Sequence, residues 1–262
     1  MSKLTPYDVD RILVGPREGF IHLDASHISN FCTYALTALD LLVKASTWNR
    51  YNFIFNWPDG EGRNLFYYYF KFITDSFIFT SVSDLPEGVA KLPPVDITKD
   101  SLKEGPLQNG PALFNYISSY SSDDTNFSEL RGAVDSLNFR FKFDRSSRGY
   151  YNDKFSRYNK IIGIDLRNVS DTGLESIFEQ ADRLIYSSTS VRIFCSFYEP
   201  FLYDSLLSRY GKRVYSRKKS EDNLRDTMME CAVLSKCDYL LGSSKSEVFN
   251  LARVFSNLQT LQ

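Results

Sequence analysis

The segment Leu234-Ser235-Lys236-Cys237-Asp238-Tyr239-Leu240-Leu241-Gly242-Ser243-Ser244-Lys245-Ser246-Glu247-Val248-Phe249-Asn250-Leu251-Ala252 decides the reading of the fold. It leaves a helix-spaced pattern over residues 223–235 and passes through a short apolar strand, residues 239–241. A Ser-rich turn at 242–246 then opens a second helical pattern over 247–258. A strand running into hydroxyls at a helix start is the repeating unit of an open parallel sheet, and the amides of such a helix end suit an anion.

Working upstream, the same alternation continues. Residues 160–166 read as a buried-type strand, and 173–184 as a helix with Leu174, Ile177, Phe178, Ala181 and Leu184 on one face. Residues 191–197 are a second strand, 201–210 a helix that Gly211 ends, and 213–216 a third strand. Elements of these lengths in this order imply a right-handed parallel sheet with helices on both faces. Arg167 lies just past the first strand, where it either caps the strand at the surface or binds a phosphate in bidentate fashion. With the hydroxyl turn at the other end of the array, a nucleotide or nucleotide-sugar is the first ligand to consider.

The first half is less regular. Residues 12–14 and 20–23 are strand candidates, 31–44 a helix, and 51–56 a strand stopped by Pro58-Asp59-Gly60. The aromatic run Phe66, Tyr67, Tyr68, Tyr69, Phe70 and Phe72 reads as core or interdomain packing, with a sugar platform as the other use of such rings. Pro86, Pro93, Pro94, Pro106 and Pro111 break residues 83–115 into a loop-rich stretch with little regular structure. A helix and an apolar-basic strand follow over 129–143. The polar run 144–158 reads as a linker, which divides the chain into domains 1–155 and 156–262.

Composition bounds the function. A chain of 262 residues with 43% hydrophobic content suits two domains with sizeable cores rather than disorder. Its formal charge of -1 argues against nucleic acid and against a polybasic membrane surface. The start Met1-Ser2-Lys3-Leu4-Thr5-Pro6 has no signal-peptide core, and no apolar run reaches about 18 residues, so a soluble cytoplasmic protein without stable membrane insertion is expected. A bacterium or a virus-infected cell would suit it. Cys32, Cys195, Cys231 and Cys237 read as buried thiols, and His22 and His27 make no zinc pattern with them. No GxGxxG follows any strand, which weakens a dehydrogenase reading.

Three segments carry a family resemblance over about a hundred residues: 163–171 (Gly163-Ile164-Asp165-Leu166-Arg167-Asn168-Val169-Ser170-Asp171), 194–200 (Phe194-Cys195-Ser196-Phe197-Tyr198-Glu199-Pro200) and 234–252. Their order and spacing resemble the donor-binding half of the superfamily of nodulation, core and protein O-fucosyltransferases. The resemblance implies an α/β protein of GT-B architecture, two Rossmann-like domains facing a cleft, with the acceptor on the N-terminal side and the donor on the C-terminal side. It implies inverting, metal-independent transfer of a sugar from GDP-fucose to a glycan hydroxyl, with no other cofactor.

Arg167 falls on the family's first motif arginine, which in the relatives lies by the phosphates, whereas the second arginine is Asn168. The motif histidine is replaced by Asp165, and the acidic pair that helps to read guanine by Phe197 and Tyr198. These three form the expected base pocket, and the departures admit a UDP-sugar such as UDP-xylose as a competing donor. Arg217 could supply a second cation, or belong with Lys218 and Lys219 to a solvated basic run. Ser243, Ser244, Ser246 and Glu247 are candidates for phosphate contact at a helix end that hydroxyls also cap. The base is sought among Asp75, Glu175 and Asp24, in that order. A non-catalytic nucleotide- or glycan-binding protein on the same fold is the alternative. Nothing in the sequence sets the oligomeric state.

Overall fold

The computed structural model describes residues 19–45, 51–71, 78–79, 85, 87–103, 112–124, 126–142, 144–158, 160–187, 190–217 and 223–256. The strand expected at 12–14, Phe72, Asp75, Lys218 and Lys219 lie outside them. The chain divides into two compact units, Met1–Lys142 and Phe143–Gln262.

In the first unit β1 (Gly19–Leu23), β2 (Tyr51–Phe55), β4 (Ile78–Phe79), β5 (Val95–Ile97) and β6 (Ala112–Tyr116) form a parallel sheet in the order β4-β2-β1-β6-β5. Helix α1 (Phe31–Ala45) is apolar almost all round, and it is buried accordingly. The aromatic run is split between α2 (Leu65–Tyr69) and β3 (Phe70–Lys71), and β3 pairs antiparallel with β7 (Arg140–Phe141). Phe66 and Phe70 are fully buried, with ring centroids 5.0 Å from Phe55 and 4.9 Å from Phe139 respectively. Those rings are core, while Tyr68 faces solvent.

The stretch 83–115, expected to hold little regular structure, instead contains α3 (Glu87–Ala90), β5, α4 (Lys99–Lys103) and the inner strand β6. Its prolines punctuate short elements rather than abolish them: Pro94 directly precedes β5, and Pro111 directly precedes β6. Helix α5 (Phe127–Ser136) then packs on α1.

The expected linker is a helix. Residues Asp144–Phe155 form α6, which belongs to the second unit. The Phe155 ring meets Phe194 and Tyr215 edge-on, and Ser147 Oγ accepts from Lys236 Nζ at 2.7 Å. The division at Lys142 and Phe143 therefore precedes this helix, ahead of the expected boundary at 155–156. The sheet β8 (Lys160–Asp165), β9 (Val191–Ser196), β10 (Val214–Tyr215) and β11 (Tyr239–Gly242) is parallel throughout, in the order β10-β9-β8-β11.

Helices cover both faces of this second sheet. On one, Ile162, Ile164, Ile193 and Cys195 pack with Ile177 and Ala181 of α7 (Asp171–Tyr186) and Leu202 and Leu206 of α8 (Pro200–Tyr210). On the other, α9 (Asn223–Leu234) comes so close that a Cβ on Gly163 would stand 3.0 Å from both Leu234 Cδ2 and Cys237 Sγ. Helix α10 (Glu247–Phe255) packs beside α9. All four cysteines are buried and none is in a disulfide. Among the described residues no helix is long and apolar enough to cross a membrane.

Candidate active site at the strand ends of the second unit

The carboxyl ends of β8 and β9 carry a buried cluster of charge. Asp165 closes β8, and the turn after it is made by Asn168 at φ 53°, a left-handed conformation that asparagine tolerates well. Arg167, between them, has a side chain only 1% exposed. Its Nη1 donates to Asp165 Oδ1 at 2.8 Å, and its Nη2 donates to Glu230 Oε2 on α9. Ser196, the last residue of β9, donates its hydroxyl to the same Glu230 oxygen at 2.7 Å. Ser246 donates to Asp165 Oδ2. The Tyr198 ring covers the guanidinium with its centroid 4.7 Å from Cζ, and Arg167 Nε has no hydrogen-bond partner among the described residues.

Burial acts most strongly on both ends of this pair, in opposite senses. It lifts the Asp165 carboxyl above its ordinary value, against the pull of Arg167 and Ser246. On Arg167 it works against the charge, yet the two carboxylates prevail and hold the guanidinium protonated even more firmly than usual. Asp165 has no exposed surface and is part of the clamp on Arg167.

The hydroxyl turn has two parts. Ser246 is buried and is the N-cap of α10, accepting from the Phe249 amide at 3.2 Å, so its hydrogen and one of its two lone pairs are engaged within the protein. Ser243 and Ser244 stand further out and line a cavity of about 420 Å³ with Ser170, Gly173, Gly242 and Phe249. Glu247 occupies the first turn of α10, half-buried. Arg217 follows β10, its Nη2 3.7 Å from Asp226 Oδ1 and its guanidinium 5.8 Å from the Tyr150 ring. Its Nη1 is buried without a hydrogen-bond partner among the described residues.

Phe197 stacks on Tyr203 with centroids 4.8 Å apart, and Tyr198 is 61% exposed. Of the base candidates, Glu175 is exposed on α7, one residue beyond the opening turn, where Asp171 is the acid that faces the helix dipole. Asp24, in the first unit, caps the short turn Ala25–His27 and accepts from the Ser26 amide at 2.8 Å. Burial raises its pKa, but the Ser26 hydrogen bonds and the nearby His27 and His22 outweigh it and leave the carboxyl below its ordinary value. Among the described residues no three His, Cys, Asp or Glu side chains gather as a metal site.

Glu230, Ser196 and Asp226 were not singled out from the sequence. Glu230 had a signal: it is the lone charge in Met228-Met229-Glu230-Cys231-Ala232-Val233-Leu234, and a carboxylate inside so apolar a helical run needs a buried cation.

The chain matches no protein-family model and no curated protein sequence. Solved structures do overlay on it. Fucosyltransferase NodZ from Bradyrhizobium does so at a TM-score of 0.63 and 14% identity, over 92% of this chain and 94% of that one. NodZ α-1,6-fucosyltransferase soaked with GDP-fucose gives 0.60 and 12%, over 92% and 93%. POFUT1 in complex with GDP gives 0.59 and 8%, over 94% and 99%. The chain thus has the α/β GT-B fold of these fucosyltransferases.

Proposed function

We propose that the chain is an inverting glycosyltransferase that moves a sugar from a nucleotide-diphosphate donor to a glycan hydroxyl. The observation that supports this most is the overlay on NodZ across 92% of the chain, because the relatives that share the fold are solved with GDP and GDP-fucose. In this reading the donor diphosphate lies at the carboxyl ends of β8–β11. Ser243, Ser244 and the amides at the start of α10, Glu247 included, face its phosphates, with Arg167 and Arg217 as the cations. Phe197 and Tyr198 stack on the base. Asp75, Glu175 or Asp24 removes the acceptor proton, with no metal taking part. GDP-fucose is the leading donor and a UDP-sugar such as UDP-xylose its competitor, in a cytoplasmic setting.

A non-catalytic nucleotide- or glycan-binding protein is the second reading, favoured by one observation: the Arg167 guanidinium already has two carboxylate partners and almost no exposed surface. A thermal-shift series with GDP, UDP, GDP-fucose and UDP-xylose tests binding, since a ligand at a hundredfold excess over its Kd stabilises by about 2.7 kcal/mol. Donor hydrolysis then separates enzyme from binder. No shift with any of the four would overturn the transferase reading and the nucleotide-binding form of the second, leaving only a glycan binder.

A further inference from the structure

We propose that Glu230 is a positioning residue of the donor site, which fixes Arg167 and, as the second carboxylate on one guanidinium, lowers the site's affinity for the diphosphate product relative to the sugar-bearing donor. The inference rests on the donor-site reading above and adds to it a means of product release.

Glu230 reaches the strand ends from α9, and its Oε2 is shared between Arg167 Nη2 and the Ser196 hydroxyl. With Asp165 on Nη1, the guanidinium is held at both ends and Tyr198 covers its face. Both oxygens of Asp165 receive donors, the pattern of an ionised carboxylate. One positive charge thus lies between two negative ones in a place that water does not reach. Burial of this kind keeps a charge from being screened by salt, so a neighbouring ligand feels it.

Transfer changes the charge that the site must hold. The acceptor hydroxyl oxygen bonds to sugar C1 as the bond between C1 and the β-phosphate oxygen breaks; that bond's electron pair stays on the phosphate oxygen, and the acceptor proton leaves with the base. A nucleotide-sugar carries about two negative charges and the released diphosphate about three, because a free terminal phosphate has its second pKa near 6. A carboxylate beside the phosphate-facing arginine therefore disfavours product more than donor. A neutral glutamine keeps an acceptor oxygen for Arg167 while removing that difference.

The test is calorimetric titration of the full chain with GDP and with GDP-fucose. Glu230→Gln is expected to lower the Kd for GDP about fivefold or more relative to that for GDP-fucose, whereas Glu230→Asp keeps the wild-type ratio. Taking the ratio within one variant cancels any general loss of stability. An unchanged ratio in a folded Glu230→Gln chain overturns the proposal and leaves Glu230 a structural residue. Should that variant not fold, the wild-type chain decides: adding the β-phosphate, from GMP to GDP, is expected to gain less than about tenfold, and a hundredfold gain overturns the idea. If the wild-type chain binds none of GDP, GDP-fucose, UDP and UDP-xylose, the donor-site reading itself is wrong and this inference goes with it; if it binds only the uridine pair, the same ratio is read with UDP and UDP-xylose.

Discussion

Arg167 lies between two carboxylates and out of reach of water, so removing it leaves Asp165 and Glu230 buried without their shared cation. Arg167→Ala is therefore expected to cost about 3–5 kcal/mol of folding stability, read by urea denaturation, apart from any effect on nucleotide affinity. Acidity gives a second handle on the same cluster. Burial is the largest influence on Asp165 and holds its folded pKa above 3.8, so its contribution to stability is whole below that value and is lost as pH rises through the interval above. Asp24 has the opposite sign: its folded pKa is below 3.8, and its contribution is lost as pH falls. Asp165→Asn should accordingly remove a fall in unfolding free energy as pH rises above 3.8, measured by denaturation at a series of pH values; an unchanged profile would show that Asp165 is not its source. The sequence made Arg167 legible as a cation at a strand end. Its burial was not legible, because Glu230 is 63 residues away and only the fold brings the two together.

Caps and close approaches decide matters at the scale of the element. Ser170 and Ser246 both cap helices, but Ser170 is exposed whereas Ser246 also donates to a buried carboxylate. Ser170→Ala should cost about 1 kcal/mol and Ser246→Ala about 2–3, a difference visible in paired thermal melts. Elements with strong periodicity, such as α7 and β8, were legible because one face is apolar at the right interval. Helix α6 was not. Among its described side chains only Ser147 and Phe155 are buried, and it is anchored by Lys236 and by the Phe194 and Tyr215 rings, none of them near in sequence. Gly242 reads as an ordinary turn residue, yet a Cβ there would stand 2.6 Å from Phe249 Cδ2 and 3.0 Å from the Asp165 carbonyl. Gly242→Ala should thus cost about 1–3 kcal/mol and loosen α10 from β11, seen as faster amide exchange in 247–255.

The two units divide the proposed chemistry between them. Every residue proposed to hold the donor lies in Phe143–Gln262, which has its own four-stranded sheet and core cluster, whereas Asp24 and Asp75 lie in Met1–Lys142. A segment of this size can bury enough surface to fold alone. Residues 143–262 produced by themselves are expected to melt cooperatively and to bind GDP with a Kd within about threefold of the whole chain, since no donor contact is removed. The same segment separates the base candidates. If Asp75 or Asp24 is the base, the isolated unit keeps nucleotide affinity and loses sugar transfer together with most donor hydrolysis, a loss of about 10²–10⁴ in rate. If Glu175 is the base, donor hydrolysis survives in the isolated unit and Glu175→Gln abolishes it there. An isolated unit that folds but has lost GDP affinity would place essential donor contacts in the first unit, contrary to the assignment of the whole donor site to the strand ends of the second.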